Sequence, residues 1–401
     1  MSAHRRPEGA RVSALVIIGI GAASGAAHLG NNFTTYLVGG LIDRFGFSPI
    51  QMGAWSMAET LAYAAAMFLV APRAQSVSAR TLGLAATLLV VAAQLGSVAT
   101  GAYPLLLIGR IAAGLGFGLM NSAVNLAAGQ TAHPARAISA GIAFQTVLFA
   151  AVNIGLPMLG VHYGVEGMFA GLAGLSAVLG LGTFLLPGRR SDPADSASAQ
   201  TPVQALGAEG WRILAAMALF AFGSLAIWPF MERAAHGIGL SATMFGQYQS
   251  AATILSACGN MALFALAARL SRARPLALAL GTCGMACALM TTVSSALAFA
   301  GALILYNVSW FITYPLLLGL AYSIEPSGRL ALMTTGTWLL FQSFGSLGAG
   351  VIGQVFGGYG PVGPMGLGAC LLAILTVWPV ARRLDGAHGD LAAGQPVTVL
   401  H

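Results

Sequence analysis

Lysine does not occur in this chain, and charge of either sign is scarce. Only 7% of the 401 residues are Asp, Glu or Arg, where a soluble domain carries about 25%. A body that is 57% hydrophobic has no polar surface to put outside, so the solvent for most of it is lipid. With no Lys there is no Gly-x-x-x-x-Gly-Lys loop to cradle nucleotide phosphates, so ATP does not drive the protein directly. Cysteine stops at four (Cys258, Cys283, Cys287, Cys370), all inside apolar runs. Their spacing fits neither a zinc site nor a disulfide framework, and they read as packing thiols. The seven histidines are dispersed, without a His-Glu-x-x-His helix or a nucleophile beside a base. No enzyme, metal or cofactor is therefore expected. Repeated polar rings and filter loops are missing too, which argues against a channel.

What the chain has is long apolar runs. A span needs about 20 apolar residues to cross about 30 Å of hydrocarbon. On that measure the sequence predicts spans at 13–41, 50–71, 81–100, 103–129, 137–160 and 164–187, then at 211–231, 242–268, 275–298, 300–323, 331–356 and 361–381. The stretch 188–210, GRRSDPADSASAQTPVQALGAEG, is polar and rich in Ser, Ala, Pro and Asp, and reads as a linker. The expected domains are a six-helix bundle over 1–187, the linker 188–210, a second six-helix bundle over 211–383 and a tail at 384–401. The polar, basic segment before Val12 leads into a long apolar run with no small-residue cleavage site, so no removable signal peptide is expected.

All 18 basic residues are Arg, and the net charge is +7. They lie singly in short loops with no interleaved aromatics, which argues against nucleic-acid binding. With a cytoplasmic N-terminus, the cytoplasmic segments hold Arg5, Arg6, Arg11, Arg73, Arg80, Arg136, Arg189, Arg190, Arg212, Arg269, Arg272, Arg274, Arg329, Arg382 and Arg383. The opposite side holds Arg44 and Arg233. So lopsided a division follows the positive-inside rule. It predicts a multi-pass protein of the cell's inner (cytoplasmic) membrane with both termini in the cytoplasm.

The halves resemble each other. DRFGFSPIQMGAW (Asp43 to Trp55) and ERAAHGIGLSATMFGQY (Glu232 to Tyr248) both begin with an acid–Arg pair and lead through Gly and Ser to a Met- and Gly-containing helix start. His162 to Gly164 (HYG) answers to Gly358 to Gly360 (GYG). Parallel repeats of six spans are a transporter signature. Over about Val12 to Arg383 this organisation resembles the Major Facilitator Superfamily. The run LLLIGRIAAGLGFGLMN (Leu105 to Asn121) is similar to that family's helix 4 motif and places its arginine at Arg110. GLPMLG (Gly155 to Gly160) matches in part the Gly-Pro-x-x-Gly-Gly element of the family's antiporters. The loop APRAQSVSAR (Ala71 to Arg80) departs from the family's Gly-x-x-x-Asp-Arg-x-Gly-Arg pattern: it keeps Arg73 and Arg80 and lacks the Asp. The resemblance implies an all-α polytopic membrane protein of 12 helices in two pseudo-symmetric six-helix bundles.

Charge at the bilayer centre costs about 3 kcal/mol or more, so each instance needs a reason. Two occur, Glu59 and Arg110. Glu59 lies about 13 Å into the second span at 1.5 Å per residue. Trp55 and Tyr63 share its helical stripe. Desolvation opposes its charge, so it is placed to load and release a proton, or else to serve as a protonated structural carboxyl. Arg110 keeps its proton and needs a counter-charge, carbonyls or water. It reads as an anion clamp, as a partner of Glu59 or as a structural tie, and the resemblance favours coupling.

Candidate solute contacts are His28 and Asn32, on a polar face with Asn31 and Thr35, together with Asn121 and Gln145. The second half supplies Tyr306 and Trp310 at a helical step, then Trp338 and Gln342. Aromatic stripes of this kind also serve as plain packing or as interface belts. Trp228 before Pro229 predicts a kink. Asp43 with Arg44, and Glu232 with Arg233, sit at outer helix ends as gate contacts or interface ion pairs. The reading is a monomeric, proton-coupled secondary transporter of a small organic solute, working by alternating access between the bundles. Its partners are the solute, protons and the bilayer. The partial antiporter element favours export. Proton symport importing an organic, aromatic acid is the alternative, and a transporter-like sensor that binds without flux is a third reading.

Overall fold

The computed structural model describes residues 9–73, 76–131, 134–188, 206–266, 271–325 and 329–392. Most of the linker and tail, and Arg5, Arg6, Arg189, Arg190 and Arg269, lie outside them. The described residues are helical throughout, with short turns and no strand among them. The helices are α1 (Gly9–Ala27), α2 (Leu29–Phe45), α3 (Pro49–Val70), α4 (Ala79–Val98), α5 (Tyr103–Gly129), α6 (Pro134–Gly180) and α7 (Ala208–Ala226). They continue with α8 (Met231–His236), α9 (Ala242–Leu266), α10 (Ala273–Thr292), α11 (Ala296–Ile324), α12 (Arg329–Phe356) and α13 (Val362–Ala392). Among the described residues, those of Met1–Phe47 and Ala58–Pro202 form one compact unit, and those of Ser48–Met57 and Val203–His401 a second. The helix α3 is divided between them.

Ten stretches of the described residues are long and apolar enough to cross a membrane. One of them, Ala137–Leu185, has 49 residues and counts twice. It breaks at Gly164, whose φ of 67° and ψ of −167° lie outside the range open to other residues. Beyond the break the chain doubles back: a Cβ on Gly171 would lie 2.5 Å from the Leu159 side chain, although twelve residues of straight helix span about 18 Å. With the 25-residue α9, twelve passes result.

Boundaries differ from the sequence reading, among them the last helix, which runs on to Ala392, and in three places the reason is local. The first span is two helices, because His28 (φ −110°, ψ 3°) leaves helical geometry and its N–H turns back to Gly25 O at 3.4 Å. The expected span at 275–298 ends at Thr292, and the next begins at Ala296 under a cap in which Ser295 Oγ accepts the Ala298 N–H at 3.2 Å. The kink expected at Trp228–Pro229 is a 3-10 turn, Trp228–Phe230, that separates α7 from α8.

Hydrogen bonding inside hydrocarbon must be settled within the protein. Hydroxyls in the spans therefore fold back onto the carbonyl one turn earlier: Thr34 on Gly30, Ser122 on Gly118, Thr313 on Ser309 and Thr334 on Leu330, all within 2.7–2.9 Å. Close helix contact comes from glycine. In the first unit Gly114 and Gly118 of α5 lie against the backbone of α3, where added Cβ atoms would meet Ala62 Cβ at 3.0 Å and Ala66 Cβ at 2.8 Å.

Candidate functional site

The two in-span charges meet. Glu59 on α3 and Arg110 on α5 form an ion pair through Oε2 and Nη2 in the first unit, with 1% and 2% of their surfaces exposed. The local fold explains the meeting. Arg110, Gly114 and Gly118 lie along one stripe of α5, and Glu59, Ala62, Tyr63 and Ala66 along the facing stripe of α3. The glycines bring the backbones together and so bring the charged groups within reach of each other.

The start of α2 completes the enclosure. Arg110 Nη2 donates to Thr34 Oγ1 and, at 3.5 Å, to Gly30 O. Thr34 gives its own proton to Gly30 O at 2.8 Å, which leaves the hydroxyl lone pairs for the guanidinium. Gly30 is the residue that fits there. A Cβ would run into Glu59 Oε1 and the Phe117 ring. The arrangement holds a near-neutral pair in an apolar surround. A proton placed on Glu59 removes the negative half and leaves a buried cation short of its counter-charge, a change worth about 3–5 kcal/mol.

The other residues proposed for this unit surround the helix break. His28 Nδ1 donates to Ser24 O at 3.0 Å, and its ring lies 6.3 Å from that of Tyr63. Asn32 Nδ2 donates to His28 O at 2.9 Å. Gln145 Oε1 accepts from Ser24 Oγ at 3.2 Å, and Asn121 Nδ2 points at Met67 Sδ at 3.5 Å. His28, Asn32, Asn121 and Gln145 are each half-buried, while Thr35 is buried. The break leaves Asn31, Asn32 and Thr35 on α2 and puts His28 at its N-terminal boundary.

In the second unit α7, α11 and α12 gather aromatic rings. Trp310 and Tyr314 stack at 5.5 Å with 7° between planes. Trp338 closes on them at 5.9 Å and 5.1 Å, and Phe220 approaches Trp310 at 6.1 Å. Gln342, one turn past Trp338, is buried. Tyr306 belongs elsewhere: it is fully buried, stacks with Trp228 at 6.4 Å and spends its hydroxyl on Ser224 O at 2.9 Å. Beside it, Asn307 and Gln249 exchange amide hydrogen bonds of 3.1 Å and 3.4 Å.

Of the end-of-helix charges, Arg233 Nε bonds Glu232 Oε2 at 3.1 Å, and both are largely buried. Arg44 instead takes Glu166 Oε1 at 2.9 Å, and Asp43 is exposed. Tyr359, in the turn between α12 and α13, stacks on Phe230 at 4.6 Å, and burial pushes its hydroxyl up to about 12. Sequence reasoning missed Thr34, Glu166 and Phe220. The clue to Thr34 was its place one turn after Gly30. Glu166 carried no signal, being 122 positions from Arg44.

The family model of the Major Facilitator Superfamily matches residues 20–351. No curated protein matches the chain in sequence. Solved structures do match in fold. A point mutant of the nucleoside transporter NupG is 12% identical with a TM-score of 0.75, over 91% of this chain and 99% of that one. A D-xylose-proton symporter is 12% identical at a TM-score of 0.72, over 90% and 96%. A bacterial homolog of the human lysosomal transporter Spinster, inward-facing and occupied, is 13% identical at 0.66, over 98% and 100%.

Proposed function

The chain belongs to the Major Facilitator Superfamily, and from that premise we propose that it is a proton-coupled secondary transporter of a small organic solute, working by alternating access. Glu59 is the proton carrier and Arg110 its coupled charge. The observation that carries this reading is their buried pair. A carboxylate kept from water beside a guanidinium that cannot give up its proton is a group whose protonation changes the charge of its surroundings. Loading the proton loosens the tie to Arg110, and releasing it restores the tie.

Arg110 Nη2 is engaged by Glu59, Thr34 and Gly30 O, and the guanidinium is shut off from solvent. That arrangement supports coupling over an anion clamp and leaves solute recognition to uncharged groups. Export in exchange for protons is the preferred direction, on the partial helix 5 element Gly155 to Gly160. The positive-inside distribution of arginines supports an inner-membrane location with both termini cytoplasmic. Two of the fold relatives are a nucleoside transporter and a sugar–proton symporter, in keeping with solute movement on this scaffold.

The test is proteoliposome flux under an imposed pH gradient. Glu59→Gln keeps the shape of the side chain and removes its titration. Solute movement should persist down its own gradient and lose its response to ΔpH. A Gln variant still driven by protons would sink the reading.

A further inference from the structure

From the aromatic cluster of α7, α11 and α12 we infer the substrate class: an uncharged, planar solute whose ring carries hydrogen-bond acceptors. The inference rests on the transporter reading for its role, and binding alone tests it.

Three observations converge. The first is that the cluster faces inward on its helix. The lipid-facing stripe of α11 runs through Leu297, Leu305 and Tyr322, all strongly exposed. At about 100° per residue, Trp310 and Tyr314 lie on the opposite side. They are nevertheless part-exposed, as is Trp338 on α12. Aromatic faces that stay open on the side away from lipid are not a membrane-interface belt.

The second is unspent polarity. The Nε1–H groups of Trp310 and Trp338 are shielded from solvent and have no acceptor among the described residues. An indole nitrogen donates and cannot accept. Two enclosed donors without acceptors cost more than two that are satisfied, and indoles deep in a structure ordinarily find a partner. Their neighbour does not supply one: Tyr314 OH is engaged with Thr335 Oγ1 at 3.4 Å.

The third is charge. Between Ala296 and Ile324, α11 contains no Asp, Glu or Arg, and α12 has none after Arg329. A cage of rings alone would suit an organic cation through the negative faces of its π systems. Two unspent N–H donors in the same cluster, with their positive ends free of any acceptor, work against that occupant. A planar ring with carbonyl or aza acceptors stacks on the indoles and takes both hydrogens, after a rotation of each indole about χ2.

Tritiated caffeine is a suitable probe, because it is flat, neutral and bears acceptors without N–H donors. Equilibrium binding to the detergent-purified full-length chain should be saturable. It should resist competition by benzyltrimethylammonium and by benzoate. Trp310→Phe and Trp338→Phe keep a ring and delete the donor, and each should weaken caffeine binding about tenfold. The unliganded melting temperatures of these variants report that they fold. The proposal is overturned if the cation or the carboxylate displaces caffeine, if caffeine does not bind, or if both folded Phe variants bind it as the parent does. The competition series on the parent needs no variant. None of these outcomes depends on proton coupling, so a failed Glu59→Gln test and a failed binding test are told apart.

Discussion

Arg110 on α5 reaches Glu59 on α3 inside the first unit, and neither exposes more than 2% of its surface. Isolated buried charges are expensive, whereas paired ones come near to breaking even. Glu59→Ala or Arg110→Ala should each destabilise the protein by about 3–5 kcal/mol, because the partner is left buried without its counter-charge. The double variant Glu59→Leu with Arg110→Met should cost less than either. Thermal unfolding in detergent gives the cycle; costs that simply add would mean that the two residues do not interact.

Gly30→Ala should lower stability by about 1–3 kcal/mol, since its methyl group overlaps Glu59 and Phe117 in a filled space. Gly174→Ala is the control: nothing lies within 4 Å of its Cβ position. In mid-helix the exchange should be neutral or stabilising by up to about 1 kcal/mol. The melting temperature should fall for Gly30→Ala and hold or rise for Gly174→Ala.

At Gly164 the backbone itself is the constraint. Ala there must adopt φ of 67° with ψ of −167°, at a cost of about 1–3 kcal/mol. The yield and melting temperature of Gly164→Ala should fall well below those of Gly174→Ala.

Arg44 and Glu166 are joined at 2.9 Å but are 62% and 30% exposed. Solvent screening limits such a pair to about 0–1 kcal/mol. Arg44→Gln should melt within a degree or two of the parent, and a large drop would show that the pair does more than close an exposed gap.

Tyr359 predicts an alkaline dependence. Its folded value of about 12 lies above the usual 10, so the folded state holds the phenolic proton more tightly. Its stabilising contribution is complete below pH 10 and is lost as pH rises through about 12. Tyr359→Phe should flatten that part of the stability profile, measured by unfolding between pH 9 and 12.

How much of this could be read from the sequence depends on the physics behind each element. Apolar length is a one-dimensional property, so the passes and the division at His162 to Gly164 were legible. The Glu59–Arg110 pairing was legible for a different reason: two opposite charges in hydrocarbon have few other partners. The break at His28 was not. No proline marks it, and the hydropathy of the run continues across it. Neither was the extended connection at Val293–Ser295, whose two serines are too few to interrupt an apolar average. Trp310 and Trp338 were visible as helical steps on separate segments, but their approach to Phe220 is a tertiary fact. Tyr306 looked equivalent to Trp310 from spacing alone. Its hydroxyl bond to Ser224 O, which sets it apart, joins positions on two different helices.

The glycine seam between α3 and α5 has a mechanical consequence. With Gly114 and Gly118 seated on the backbone of α3, the part of α3 that belongs to the first unit is in direct contact with α5, and a tilt of one carries the other along. Acid and base therefore ride together through any such tilt. In the proposed cycle, what separates them is a turn of a side chain about its own bonds, set off by the arrival of a proton.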